Sequence, residues 1–407
     1  MPSDISERRI VFLVGAVQFV NILDFMMVMP LGPDFARSLG IAASSLGYVG
    51  GAYTAAAGLS GLAGALFLDR FDRRRALAVA MLGLVVGTAA GGFATNLATL
   101  LAARVIAGAF GGPATSIALA IIADVIPAER RGKALGAVMG AFSVASVLGV
   151  PAGLELAGLG GWRLPFFAVA GLGLVITTLG YSLLPPLQLH LAAAKDSPPP
   201  RFVELFRPAV LLSWAMTALV MMASFSIVPN LSAYFQNNLG YPRKALGTLY
   251  LVGGTLSFFA MRGVGWLVDR YGSFRVGTAG TIWFLGVLYT GFVDPVAGVP
   301  VMGIFVAFML SNSLRGVPHN TLTSKVPSPR ERARFMSIQS AVQHFASAFG
   351  AFLSAQMLRE LPGGALEGLP HVAVLSMVLG GTFPLLAWAV ESRLPAARPA
   401  AMAAETA

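Results

Sequence analysis

No cysteine occurs in the 407 residues, which excludes disulfide scaffolds, thiolate metal sites and cysteine nucleophiles. Charge is scarce as well: 11% of residues are Asp, Glu, Lys or Arg, against about 25% in an ordinary soluble domain. So few charges cannot clothe a water-facing surface. The four histidines, His190, His319, His344 and His371, form no HExxH or other ligand spacing. No GxxxxGK[ST] phosphate loop is present either, so ATP-driven transport by this chain alone is not expected. An enzyme is not expected: neither a nucleophile–base pair nor a metal constellation is visible, and no cofactor is implied.

Apolar residues make up 56% of the chain, and the mean hydropathy is +0.75. These values place it in a membrane. At roughly 30 to 35 residues for a spanning helix and its loop, the length accommodates about 12 spans. The apolar stretches run over 10–31, 45–68, 76–95, 97–123, 134–157, 164–186, 208–232, 245–268, 276–293, 300–323, 336–359 and 371–390. An even number puts both termini on one side. Residues Met1–Arg9 and the apolar run after them resemble a signal peptide, but the run is a full span and lacks a small-residue cleavage site. A retained first helix is expected.

The net charge of +10 would point to nucleic acid in a soluble protein. Here its placement speaks for topology. Of the 28 Lys and Arg residues, 20 fall in the alternate segments that contain the termini, 5 in the opposite loops and 3 inside spans. The positive-inside rule then puts both termini in the cytoplasm of a multi-pass protein in the cytoplasmic (inner) membrane. Nucleic acid is not an expected partner; a small-molecule solute and membrane lipids are, with the chain working as a monomer.

The longest polar interruption, 187–207, contains Lys195-Asp-Ser-Pro-Pro-Pro-Arg201, and three successive prolines favour an extended linker. It divides the chain into 1–186, a six-span half, and 208–391, a second six-span half, followed by a tail over 392–407. The halves repeat. Asp69-Arg70-Phe71 recurs as Asp269-Arg270-Tyr271, and Arg131-Gly132-Lys133 as Arg332-Ala333-Arg334. The expected fold is an all-α membrane protein of 12 transmembrane helices in two six-helix parallel repeats, an arrangement suited to alternating access.

These turns carry a resemblance to the major facilitator superfamily, whose turn after span 2 reads G-x-x-x-D-R-x-G-R-R. The first copy has Asp69, Arg70, Arg73 and Arg74, with Ala65 and Asp72 in place of the glycines. The second keeps Gly265, Asp269, Arg270 and Gly272, with Ser273 and Phe274 in place of the basic pair. The resemblance implies that Asp69 meets the start of span 11, near Met336–Gln339. Span 5 contains Gly140, Gly149, Pro151 and Gly153, similar to the Gly/Pro motif of exporters, in particular the twelve-span drug:proton antiporters and their sugar- and nucleoside-efflux relatives. Simple helix packing, as at Gly83, Gly87 and Gly91, explains these glycines equally well.

A charge inside a span costs about 2.5–3.5 kcal/mol even on the lenient insertion scale, so each is a functional hypothesis by default. Asp24 lies 7 residues before the outer end of span 1, about 10 Å deep, and Arg104 lies equally deep in span 4. In the resembled family both spans line a central cavity. Asp24 is therefore the expected proton carrier, tuned by Arg104 across the cavity; a static pair that fixes helix packing is the alternative. Gln18 and Asn21 share its polar stripe. Span 10 contributes Asn312, Arg315 and His319, and span 7 Asn230 beside Pro229; these six are the expected solute-facing residues. Arg262 is expected to snorkel, and Glu155 and Asp124 to serve structure. The expected activity is proton-coupled export of small, drug-like or amphipathic solutes. The alternatives are a sugar, nucleoside or metabolite exporter and a uniporter.

Overall fold

Inside a bilayer the backbone has no water to bond, so a spanning segment must satisfy its own amides and carbonyls. The computed structural model is accordingly helical along nearly all of its described residues, which are 7–188, 207–296, 298–327 and 332–394; the side chains of 65–67, 69, 128–129, 131–132 and 332–333 are not among them. The long helices are α1 (Glu7–Val28), α2 (Leu46–Phe67), α3 (Arg73–Gly92), α4 (Leu97–Val125), α5 (Lys133–Gly160) and α6 (Arg163–Leu183). They continue with α7 (Pro208–Asn238), α8 (Arg243–Tyr271), α9 (Ser273–Val293), α10 (Val301–Ser324), α11 (Arg332–Met357) and α12 (Leu369–Glu391). Ten are long and apolar enough to cross a membrane; α2 and α11 match them in length. The linker expected over 187–207 lies outside the described residues except at its two ends, as does 395–407 of the tail.

The ends of the helices follow local chemistry. Asn96 opens α4 with a capping box, its side chain accepting from the Thr99 amide while the Thr99 hydroxyl faces the Asn96 amide. Asp72, standing where the family turn has glycine, caps α3: Oδ1 accepts from the Arg75 amide at 3.1 Å. Its Oδ2 accepts from the Leu187 amide at 3.0 Å, and the Arg73 amide donates to the Leu187 carbonyl. Arg73 is buried and pairs through Nε with Asp124 at the end of α4, at 3.2 Å. The carboxylate thus replaces glycine by capping the helix and clasping the exit of α6. Asp72→Ala should lower stability by about 0.5–2 kcal/mol, with Asp72→Asn milder, read as the shift in thermal unfolding in detergent. In the second copy, Gly272 holds φ at +86°, a conformation open to glycine, and Asp269 and Arg270 are exposed.

Small residues set the helix spacing. A Cβ at Gly108 or Gly112 of α4 would stand 2.2 and 2.4 Å from backbone oxygens of α2, and one at Gly87 would stand 2.4 Å from the Ala107 amide nitrogen. The Gly-x-x-x-Gly spacing lets the backbones touch. In α5, a π turn over Ala145–Gly149 precedes Pro151, which has no amide hydrogen to complete the regular ladder. A Cβ at Gly149 would lie 2.6 Å from Leu23 of α1, and one at Gly153 only 3.8 Å from Met27; Gly140 meets just its own helix. Arg262 is exposed and stacks over Phe258.

One departure from an all-α chain occurs after α11. Strands β1 (Arg359–Glu360) and β2 (Leu366–Glu367) pair antiparallel, turned by Gly363 and Gly364 at positive φ. Asn237 and Asn238 at the end of α7 bond to this hairpin at Gly364 and Leu366. Their side-chain amides dock the hairpin onto α7.

Candidate functional site

The loops that begin with α1, and those on its side of the bundle, carry most of the basic residues; this is the basic end, and the opposite end is the far end. Between residues 7–183 and 208–391, the described contacts run along α2 against α11 and α5 against α8. They reach from the far end towards the middle. A Cβ at Gly47 would stand 2.2 Å from the Ala351 carbonyl oxygen, one at Gly51 2.3 Å from the Phe352 ring, and one at Gly58 3.1 Å from His344. On the other side Gly254 faces Ser146, and Phe25 and Phe225 lie 6.0 Å apart, centroid to centroid.

Polar ties close the far end. The guanidinium of Arg243, at the start of α8, grips Asp34 of the short helix Gly32–Leu39 at 2.6–2.9 Å and donates to the Leu154 carbonyl of α5. The Glu360 carboxylate of the hairpin accepts from the Ala43 amide. Reversing the charge with Arg243→Glu should open the far end, and the swap Asp34→Arg with Arg243→Asp should reseal it. The check is spin-label distance across that end; unchanged distances in Arg243→Glu would mean that the ion pair does not hold the gate.

Asp24 is fully buried and Arg104 is 1% exposed. The space expected between them is absent: Arg104 Nη1 donates to both carboxylate oxygens at 3.1 Å, and Nη2 reaches the Asp24 carbonyl at 3.5 Å. Residues one turn from the far end of α1 and seven into α4 meet because the small Ala107–Gly108 and Gly111–Gly112 pairs draw α4 against its neighbours. Tyr53 of α2 places its ring under the guanidinium, 4.6 Å from centroid to Cζ, and its hydroxyl donates to Asn21 Oδ1 at 2.7 Å. Asn21 in turn donates to the Gly111 carbonyl and to Thr115. The polar stripe of Gln18, Asn21 and Asp24 is therefore a buried seam among α1, α2, α3 and α4, and not an open wall. Gln18 is buried too, with Oε1 unbonded.

Thr88 of α3 completes the pair, a contact that only the depth of a hydroxyl in span 3 could have signalled. Its Oγ1 lies 2.7 Å from Asp24 Oδ1 and 2.8 Å from the Leu84 carbonyl oxygen. A hydroxyl has one hydrogen. With Asp24 ionised, that hydrogen points to the carboxylate. With Asp24 protonated, the acid donates to Oγ1 and the hydroxyl turns to Leu84. Both protonation states of Asp24 are thus served with no heavy atom moved.

In residues 208–394 the expected solute-facing side chains are dispersed. Asn230 is buried, bonded to Ser226 and to Ser354 of α11. Asn312 is half-buried, accepting from Ser224. His319 is buried, with Nε2 2.9 Å from Thr217 Oγ1, to which Gln339 of α11 donates. Arg315 is 1% exposed and stacks over Phe284 of α9. Apart from Arg315, these polar side chains of α7, α10 and α11 thus bond one another in place of lining open space. The contact expected of Asp69 with Met336–Gln339 falls on a side chain outside the described residues. Arg70 is exposed, and Arg74 donates to the Leu184 carbonyl. Gly265 has open space where a Cβ would stand. Among the described residues no group of three or more His, Cys, Asp or Glu could hold a metal ion.

The family model described as Major Facilitator Superfamily matches residues 14–351. A chloramphenicol resistance protein of Streptomyces lividans is 28% identical over 276 residues, 67% of this chain and 70% of that one. The inward-facing, occupied structure of a bacterial homologue of the human lysosomal transporter Spinster has a TM-score of 0.73 at 16% identity, covering 95% of this chain and 97% of its own. A D-xylose–proton symporter also has a TM-score of 0.73 at 16% identity, over 93% and 96% of the two chains.

Proposed function

The chain belongs to the Major Facilitator Superfamily of multi-pass membrane transporters, and from that premise we propose that it exports small organic solutes in exchange for protons. The carrying observation is Asp24: a fully buried carboxylate held between a guanidinium and a hydroxyl that serves either protonation state. In this reading Asp24 is held by Arg104 in one conformation and exchanges its proton when a conformational change separates the two side chains. The coupling ion in this reading is H⁺, and the pair is its carrier.

Alternating access supplies the rest of the mechanism. The far end is closed by the glycine contacts of α2 with α11 and by Arg243 on Asp34. With the basic end in the cytoplasm, as the distribution of Lys and Arg favours, the sealed end of this conformer is the outer one. Rocking about the α2–α11 and α5–α8 contacts then exchanges which end is sealed. Gly149 and Pro151, at the π turn of α5, give that wall room against α1. The direction of export draws on this exporter-like motif and on the resistance relative, and drug-like solutes are the class it favours.

Everted vesicles carrying the protein, given an inward-acid proton gradient, test the reading. Drugs, sugars and nucleosides are screened for solute-dependent collapse of the gradient. Collapse by one chemical class supports antiport and names the solute. Solute movement with no collapse by any compound would replace antiport with uniport or another coupling ion.

A further inference from the structure

Arg315 sits in mid-helix on α10 with Nε, Nη1 and Nη2 all buried and without a hydrogen-bond partner. Its guanidinium lies on the Phe284 ring, 3.9 Å from Cζ to centroid, and a Cβ at Gly380 of α12 would stand 3.2 Å from Nη2. The described acids of residues 208–394 are Asp269, Asp294, Glu360, Glu367 and Glu391; all lie at helix ends or in the hairpin, and none pairs with it. His319, one turn on, has both ring nitrogens engaged, with Thr217 and with Asn320.

The contrast with Arg104 is the argument. Both arginines are 1% exposed and both rest on an aromatic ring, but Arg104 has a carboxylate and Arg315 has none. A buried charge without a counter-charge is unfavourable, and the ring offsets only part of it. Because Asp24 and Arg104 cancel, Arg315 is the one uncompensated charge at the buried centre among the described residues. Its planar donor fork matches a carboxylate in two parallel hydrogen bonds. Beside it, Pro318 has no amide hydrogen for the Leu314 carbonyl, which loosens α10 at the point where the site has to open.

We propose that Arg315 is the centre of an anion site, taking one negative charge borne either by a carboxylate on the solute or by an inorganic ion. This rests on the transporter reading above and narrows its solute class: anionic compounds are accepted and cationic ones rejected.

The test uses the purified full-length protein in detergent and a chloride-free buffer whose only anion is a bulky zwitterionic sulfonate. Chloride, benzoate, benzamide and benzylamine are titrated, with thermal unfolding and tryptophan fluorescence as readouts. Benzoate, chloride or both should stabilise the wild type, while benzamide and benzylamine should not. Binding by chloride alone identifies an inorganic ion as the source; binding by benzoate, with or without chloride, identifies the carboxylate. Arg315→Gln and Arg315→Met should bind the anion at least about 10-fold more weakly, with thermal stability unchanged or higher. Should neither fold, Arg315→Lys keeps the charge without the fork and should lower benzoate affinity relative to chloride. No anion binding by the wild type, or wild-type binding by the neutral variants, overturns the proposal. The assay needs no flux, so failure of export and failure of the anion site are separable.

Discussion

Asp24→Leu or Arg104→Met should each destabilise the protein by about 3–5 kcal/mol, and combining the two should restore most of that loss. Each single variant leaves one ion buried with no partner: Asp24 is fully buried and Arg104 1% exposed. The pair itself is worth far less than this, because both ions were desolvated to form it. The double variant Asp24→Leu with Arg104→Met removes the desolvation along with the attraction. Thermal unfolding in detergent across the four proteins gives the coupling; additive losses would mean that the two side chains do not act as a pair. Asp24→Asn separates carrier from strut. It keeps the shape and fixes the neutral state, so a carrier should lose proton-driven accumulation in vesicles while solute exchange down its own gradient persists. A strut would lose both together or neither.

Gly47→Val should shift the protein towards a conformer open at the far end. The nearest atom to its Cβ would be the Ala351 carbonyl oxygen at 2.2 Å, a backbone atom with no rotamer in which to retreat. Relief requires α2 and α11 to separate. Overpacking costs about 1–3 kcal/mol, which corresponds to a roughly 5- to 150-fold change in a two-state equilibrium. A cysteine introduced at Ala355, which is 6% exposed and whose Cβ lies 3.1 Å from the same added atom, should then react faster with an impermeant maleimide. The native chain contains no cysteine to compete. Equal labelling in the presence and absence of Gly47→Val would show that the contact does not govern closure.

The spans were legible because an apolar run of about 20 residues has few other uses, and the matching Asp-Arg turns revealed the repeat. The depths of Asp24 and Arg104 placed them at one level. Sequence could not say whether they touched or faced each other over a cavity, since that depends on helix rotation and on the glycines of α4. Thr88 was hidden for the same reason: an isolated hydroxyl in an apolar helix has many possible neighbours. Arg243 was counted as one basic loop residue, and its grip on Asp34, 209 positions away, leaves no local trace. The hairpin after α11 escaped because two-residue strands are too short to show alternation.

The clasp at Leu187 has a mechanical consequence. Asp72 and the Arg73 backbone fix that residue to the first six helices. Any load that arrives at Leu187 is therefore carried into the start of α3 as well as the end of α6, and the two helices answer it as one body.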